Sequence, residues 1–333
     1  MSVTYNTFRG SASGEVVPGQ TTASLAPHEV YIETTHSGLC GTDEHYLKAD
    51  QVLGHEGIGI VKAIGSTVQD IKVGDRVGFG YTHKICANCD ACSMGVDQFC
   101  RKGINYGFND LGNGTFSHGA IWDEKCVYPI PDGYDSAYAA PLMCAGATVY
   151  TVLSEFGIKP AERVGIMGMG GLGHIAIKLA AAMGYHVVVL SSSERKRAEA
   201  MEYGASEYHV LNDKETPKDM VPIKHLLLCG SFGVDDYRKL LPHMDICSTI
   251  YPLTVSFEPA QIPTLDLCFR GVSVQGSLVA SRQTIRSLLQ FCAAKNIYPT
   301  IMKYPLTLEG INEAMAALRE GKVRYRAVLV REF

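Results

Sequence analysis

Residues 163–173 read RVGIMGMGGLG, a short apolar run that closes on Gly168, Gly170, Gly171 and Gly173, with Leu172 between the last two. From His174 to Met183 the chain is apolar and alanine-rich at helical spacing. Strand, glycine turn and helix in that order predict a dinucleotide-binding turn. Gly168 permits the tight bend, Gly170 lets backbone approach a pyrophosphate, and Gly173 allows close helix–strand packing. The phosphates would then meet free N–H groups at the helix N-terminus. Glycine-rich turns also arise for purely geometric reasons, so the next segment carries weight. Residues 185–190, YHVVVL, form a β-branched second strand at about the 20-residue distance where a ribose-binding residue belongs.

At that strand end an NAD-specific site places Asp or Glu against the adenosine 2′-hydroxyl. Here stand Ser191, Ser192 and Ser193, followed by Glu194, Arg195, Lys196 and Arg197. Hydroxyls beside a cationic cluster complement a 2′-phosphate, so NADP is the expected cofactor. Two other readings stay open. The cations are also what the solvated face of a following helix looks like, and Glu194 would serve an NAD site if the strand runs longer.

Outward from this turn, strands and helices alternate from Val149 to GVSVQGS at 271–277, which predicts an α/β doubly wound parallel sheet of the Rossmann kind. Upstream, EVYIETT, GIGIVKAIG, DRVGFG and CVYPI are short strand-like runs in a segment rich in Gly, Thr and Val, which predicts a compact β-barrel-like unit carrying loops. The expected division is 1–145 for the β-rich unit, 146–278 for the nucleotide-binding unit, and 279–333 returning to the first.

The opening MSVTYNTFRG has neither a cationic start nor an apolar run, so secretion is not expected, and eleven cysteines are then expected to be reduced thiols and metal ligands rather than disulfides. Cys86, Cys89, Cys92 and Cys100 lie in CANCDACSMGVDQFC, where four soft donors on short loops can wrap a tetrahedral ion with no open position. A structural zinc is expected there, with an iron–sulfur cluster and disulfides as rivals. A second set is dispersed: Cys40 in GLCGTDEH, His55 and Glu56 in LGHEG, and Cys144 in PLMCAG. Two thiolates and one imidazole would leave a tetrahedral ion one free position for an alcohol or carbonyl oxygen. Glu56 is then an outer carboxylate or an alternative ligand. Spacing alone does not bring these residues together. Cys126, Cys229, Cys247, Cys268 and Cys292, each alone in an apolar stretch, are expected in the core.

The 333 residues are 46% hydrophobic and 19% charged, as in ordinary globular chains. Thirty Lys and Arg against 34 Asp and Glu leave a net charge of -4, so no basic field exists to hold a nucleic acid. No apolar stretch reaches the roughly 20 residues that would cross a bilayer. Nucleic acid and membrane are therefore not expected partners, and a cytoplasmic location is expected.

Taken in order, EVYIETTHSGLCGTDEH, GHEGIGIVKAIGS, VGDRVG, the four-cysteine run, APLMCAGATVY, GMGGLGH, SSSERKRAEA, GSLVASRQTI and VRYRAVLV resemble the zinc-dependent medium-chain dehydrogenase/reductases, and within them the cinnamyl alcohol dehydrogenase-like branch. The resemblance covers nearly the whole chain. It implies a GroES-like β-rich catalytic domain beside the Rossmann domain, two zinc ions, and hydride transfer between NADPH and an alcohol or aldehyde. Position by position it implies that Cys40, His55 and Cys144 hold a catalytic zinc with Glu56 as transient ligand, and that the four-cysteine run holds a structural zinc. Thr42 and His45 match the family's proton relay; Ser192, Ser193 and Lys196 match its 2′-phosphate contacts. A homodimer is implied as well. Reduction of a conjugated C=C or C=N bond, or a non-catalytic NADPH sensor, are the alternatives.

The chain departs from the branch in one place: Cys40 and His55 stand 15 positions apart, several fewer than usual there. Gly41 replaces a bulkier residue. Both changes predict a more open pocket.

Overall fold

The computed structural model describes residues 1–212, 217, 219–230 and 236–332. It divides into two compact units, one formed by Met1–Ala147 with Val279–Phe333 and the other by Thr148–Leu278.

In the first unit, the strand Glu29–Leu39 alternates partly buried and buried residues over its first half and then ends fully buried at Ser–Gly–Leu. Such alternation belongs to a sheet with one covered face. Glu29–Leu39 pairs antiparallel with Glu56–Ile64, which pairs with Arg76–Gly80. On its other side it receives Arg326–Val330 from the far end of the chain, Gly38 opposite Val328 and Leu39 opposite Ala327. Ile301–Pro305, Tyr128–Pro129 and Ala120–Asp123 complete a seven-stranded sheet. Val30, Ile32, Phe79 and Trp122 fill one cluster, and Leu39, Leu53, Phe116, Ile311 and Leu329 fill another. The register carries Arg326 to the level of Cys40, although they are almost a whole chain apart in sequence.

The second unit is a parallel six-stranded sheet in the spatial order Glu207–Val210, His186–Ser191, Arg163–Met167, Ile223–Leu228, Met244–Pro252, Ser273–Val274. That is the dinucleotide-binding order, reversing at Arg163–Met167. Val187 to Leu190 are wholly buried, as expected of a strand covered on both faces. The helix Gly173–Ala182 follows the glycine turn directly.

Three of the five isolated cysteines, Cys126, Cys229 and Cys292, are buried as expected; Cys247 and Cys268 are exposed. Local apolarity misleads at these two because the apolar surface there faces outward. Cys247 takes a left-handed conformation (φ 51°) where strand alternation fails. Cys268 rides on Thr264–Arg270, a helix with no buried residue, beside exposed Leu265 and Phe269. Among the described residues no single helix is long and apolar enough to cross a membrane.

Candidate active site

Cys40 ends the strand Glu29–Leu39 and caps the five-residue helix Gly41–His45. Asp43, three residues on, accepts from the Cys40 backbone N–H at 2.9 Å, so local capping fixes the cysteine's backbone. His55 and Glu56 enter the next strand after Gly54, whose φ of +87° is costly for any other residue. Cys144 lies between the 3-10 turn Ala140–Met143 and the helix Ala145–Glu155. The structure brings ligand atoms of Cys40, His55, Glu56 and Cys144 within 4.8 Å of one another. The first three are buried, while Cys144 is partly exposed.

Protonation in this group is set by its neighbours. A hydrogen bond with Cys144 holds the Cys40 thiol well below the usual range and raises Cys144 well above it. A thiolate is the form that binds metal. Burial opposes charge on His55, yet Asp43 and then Cys40 hold its imidazole well above the ordinary histidine range. His55 Nδ1 lies 2.9 Å from Asp43 Oδ1, and a carboxylate oxygen only accepts, so Nδ1 donates. Nε2 is buried without a partner. Burial pushes the Glu56 carboxyl up to about 7 against the pull of Arg326, whose Nη2 donates to Oε1 at 2.5 Å. Glu56 Oε2 is also buried without a partner.

Two sulfurs and one inward, unpartnered imidazole nitrogen fit a soft tetrahedral ion with an open position. The two orphaned atoms are what such an ion would satisfy. Gly38 makes room for this arrangement: a Cβ there would run into Glu56 Oε2.

Thr42 lies against the site, its Oγ1 3.6 Å from Cys40 Sγ. His45 sits on the exposed side at the end of the helix. Gly41 is exposed, with open space where a side chain would be.

The sulfurs of Cys86, Cys89, Cys92 and Cys100 also gather at one point. Cys86–Cys100 is 3.4 Å, Cys89–Cys92 3.6 Å, Cys89–Cys100 3.9 Å and Cys86–Cys92 4.0 Å. Sulfurs about 2.3 Å from one tetrahedral ion lie roughly 3.8 Å apart. None of the eleven cysteines is in a disulfide. Backbone N–H groups of Cys92 and Arg101 bring the Cys89 thiol down to about 6, which prepares it as a thiolate ligand. The four atoms suit one shared ion rather than paired disulfides.

In the second unit, Gly168 has φ +87° and would strike the backbone of Gly230 if it bore a Cβ. A Cβ on Gly173 would collide with the Gly168 carbonyl, whereas one on Gly170 would meet open space. Close packing and an exposed approach are the two properties the turn needs. Leu172 precedes the helix in helical conformation. The strand His186–Ser191 ends at Ser191, and Ser192 and Ser193 are exposed. Asn212 Nδ2 donates to the Ser192 carbonyl at 3.0 Å and Tyr208 Oη to that of Ser193 at 2.6 Å. Lys196 reaches back to the glycine turn, Nζ to the Met169 carbonyl at 2.6 Å. Arg197 pairs with Glu194 at 2.5 and 2.7 Å. Glu194 thus lies beyond the strand in an ion pair, which favours the 2′-phosphate reading over the NAD one.

Sequence reading passed over Asp43, Arg326, Gly38 and Tyr106. Asp43 had a signal in its capping-box spacing from Cys40; Arg326 and Gly38 had none, since only the sheet register brings each to Glu56. Tyr106 Oη donates to Asp43 Oδ1 at 2.9 Å.

Two family models match, the alcohol dehydrogenase GroES-like domain over residues 26–132 and the zinc-binding dehydrogenase over 171–294. Cinnamyl alcohol dehydrogenase 1 of Ocimum basilicum is 36% identical, over 95% of this chain and 92% of its own. NADP-dependent alcohol dehydrogenase C of Mycobacterium tuberculosis is 34% identical over 91% of each. Among solved structures, a cinnamyl alcohol dehydrogenase from Sorghum bicolor superposes with TM-score 0.91 at 28% identity, covering 98% of both chains. That of Helicobacter pylori, complexed with NADP(H), gives 0.88 at 26%, covering 99% of both. The chain belongs to the zinc-dependent medium-chain dehydrogenase/reductases, in their cinnamyl alcohol dehydrogenase-like branch.

Proposed function

We propose that this protein is a zinc-dependent alcohol dehydrogenase that transfers hydride between NADPH and the carbonyl carbon of an aldehyde, aromatic aldehydes included. The observation that carries this reading is the meeting of Cys40, His55 and Cys144 around a buried imidazole nitrogen with no partner. Zinc bound there supplies Lewis acidity at a substrate oxygen, and NADPH supplies the hydride. Cys40 holds charge already and Cys144 would give up its proton to become the second sulfur donor, Asp43 orients His55, and Glu56 stands by as an alternative carboxylate donor held by Arg326. Thr42, against Cys40, is the first group of a proton path, and His45 is its outlet to solvent. The first unit serves as the catalytic domain, and Cys86, Cys89, Cys92 and Cys100 hold its structural zinc. The second unit binds the cofactor at Gly168, Gly170, Gly171, Leu172 and Gly173, with Ser191, Ser192, Ser193 and Lys196 at the 2′-phosphate.

The test is metal analysis joined to product analysis. Two zinc per chain and conversion of an α,β-unsaturated aldehyde to its allylic alcohol support the reading. A saturated aldehyde as product assigns the chain to C=C reduction instead. Lys196→Glu removes one charge-assisted contact and adds a repulsive one; at about 1.5–3 kcal/mol for such a bond, preference for NADPH over NADH should fall roughly 10- to 100-fold, read as the ratio of kcat/KM values. An unchanged ratio would remove Lys196 from the site.

A homodimer and a cytoplasmic location belong to the same proposal. Eleven unpaired thiols suit a reducing compartment. Leu265 and Phe269 are 66% and 80% exposed on the helix Thr264–Arg270, just ahead in sequence of the edge strand Ser273–Val274, and exposed large apolar side chains of this kind are what an interface covers. Light scattering should give twice the 36.1 kDa chain mass, and Phe269→Asp should shift it towards the monomer.

A further inference from the structure

Tyr106 is wholly enclosed in the first unit, 1% exposed, yet it carries a phenol where an apolar ring would fill the space. Its backbone N–H donates to the Tyr81 carbonyl at 2.8 Å, which fixes where the side chain starts. Its hydroxyl donates to Asp43 Oδ1 at 2.9 Å and accepts from the Gly54 N–H at 3.1 Å. Its ring stacks on the His55 imidazole, centroids 4.6 Å apart and planes at 30°. Tyr46 closes the stack edge-on at 5.4 Å, and Gly107 has no room for a Cβ beside Tyr46. Tyr46 lies within the shortened segment between Cys40 and His55, so this aromatic backing is built from that segment.

We propose that Tyr106 is a positioning residue for the open metal site, fixing His55 both directly through its ring and through Asp43 by its hydroxyl. The proposal rests on the reading of Cys40, His55 and Cys144 as ligands. A histidine has two side-chain torsions, about Cα–Cβ and Cβ–Cγ, and rotation about either swings Nε2 away from the sulfurs. The Nδ1 hydrogen bond holds one edge of the ring, and the stacked phenol holds its face. Asp43 Oδ1 is in turn shared between His55, Tyr106 and the Gly54 N–H, the last at a long 3.3 Å. Loss of the phenol oxygen leaves Gly54 with that long contact alone and Asp43 Oδ1 with one donor fewer. Groups of this kind behind a ligand change metal affinity by about 10- to 100-fold.

The experiment follows zinc content of the whole protein during incubation with a chelator, alongside the absorption spectrum after cobalt(II) substitution. Tyr106→Phe keeps the ring and loses the hydroxyl. One ion should leave about tenfold faster than from the wild type, the four-cysteine ion should leave at the wild-type rate, and the cobalt ligand-field bands should shift. Tyr106→Leu, which loses ring and hydroxyl, should release that ion faster still. Tyr46→Phe, with the same atom removed one ring further out, should match the wild type. Wild-type release rates and an unshifted cobalt spectrum in Tyr106→Phe would overturn the proposal while leaving the ligand reading intact. A wild-type chain that never holds a second ion would remove both.

Discussion

Cys144→Ser should keep one zinc per chain and lose activity by a factor on the order of 10³. The exchange replaces a soft sulfur by a hard, neutral hydroxyl within the open group, and soft donors are what select this ion. Lewis acidity at a substrate oxygen is worth several kcal/mol, and each 1.36 kcal/mol is tenfold in rate. Cys86, Cys89, Cys92 and Cys100 gather separately, so their ion and the melting of the fold should change little. Metal analysis and kcat/KM measured on the same preparation check both halves. Retention of two ions with the full loss of rate would mean that Cys144 acts in some way other than ligation.

Arg326→Ala should cost about 3 kcal/mol of stability, the range found when one member of a buried ion pair is removed. Arg326 is 4% exposed and Glu56 is wholly enclosed. The carboxylate therefore has no water to turn to, and its other oxygen already has no partner. Protonation of Glu56 relieves part of the cost, since burial has pushed its carboxyl up to about 7. The loss should accordingly be larger at pH 8 than at pH 6, where the neutral acid is available. Guanidinium denaturation midpoints at the two pH values check the size and the sign. An equal, small loss at both would show that Glu56 finds another cation or stays neutral throughout.

Both effects depend on contacts of very different legibility. The glycine turn could be read because every requirement it meets is local: a tight bend at Gly168, an open Gly170, and a Gly173 that touches Gly168 within one turn. The four-cysteine loop is local in the same sense. Cys40, His55 and Cys144 could be named as candidates by chemical type and by resemblance, but nothing in their spacing required them to meet. Cys247 and Cys268 show the opposite case: an apolar neighbourhood in sequence predicts burial, while the fold turns that surface outward.

The sequence by itself determined the dinucleotide turn, the serine and lysine cluster after the second strand, and the four-cysteine loop, because each depends on residues a few positions apart; that Cys40, His55 and Cys144 meet was decided by the tertiary structure. Tertiary structure alone decided that Arg326 faces Glu56, that Gly38 must lack a side chain, and that Tyr106 backs His55. Those contacts follow from antiparallel register and loop packing between segments distant in sequence. No local propensity encodes where a strand near position 328 will pair, since that is settled by burial summed over the whole sheet.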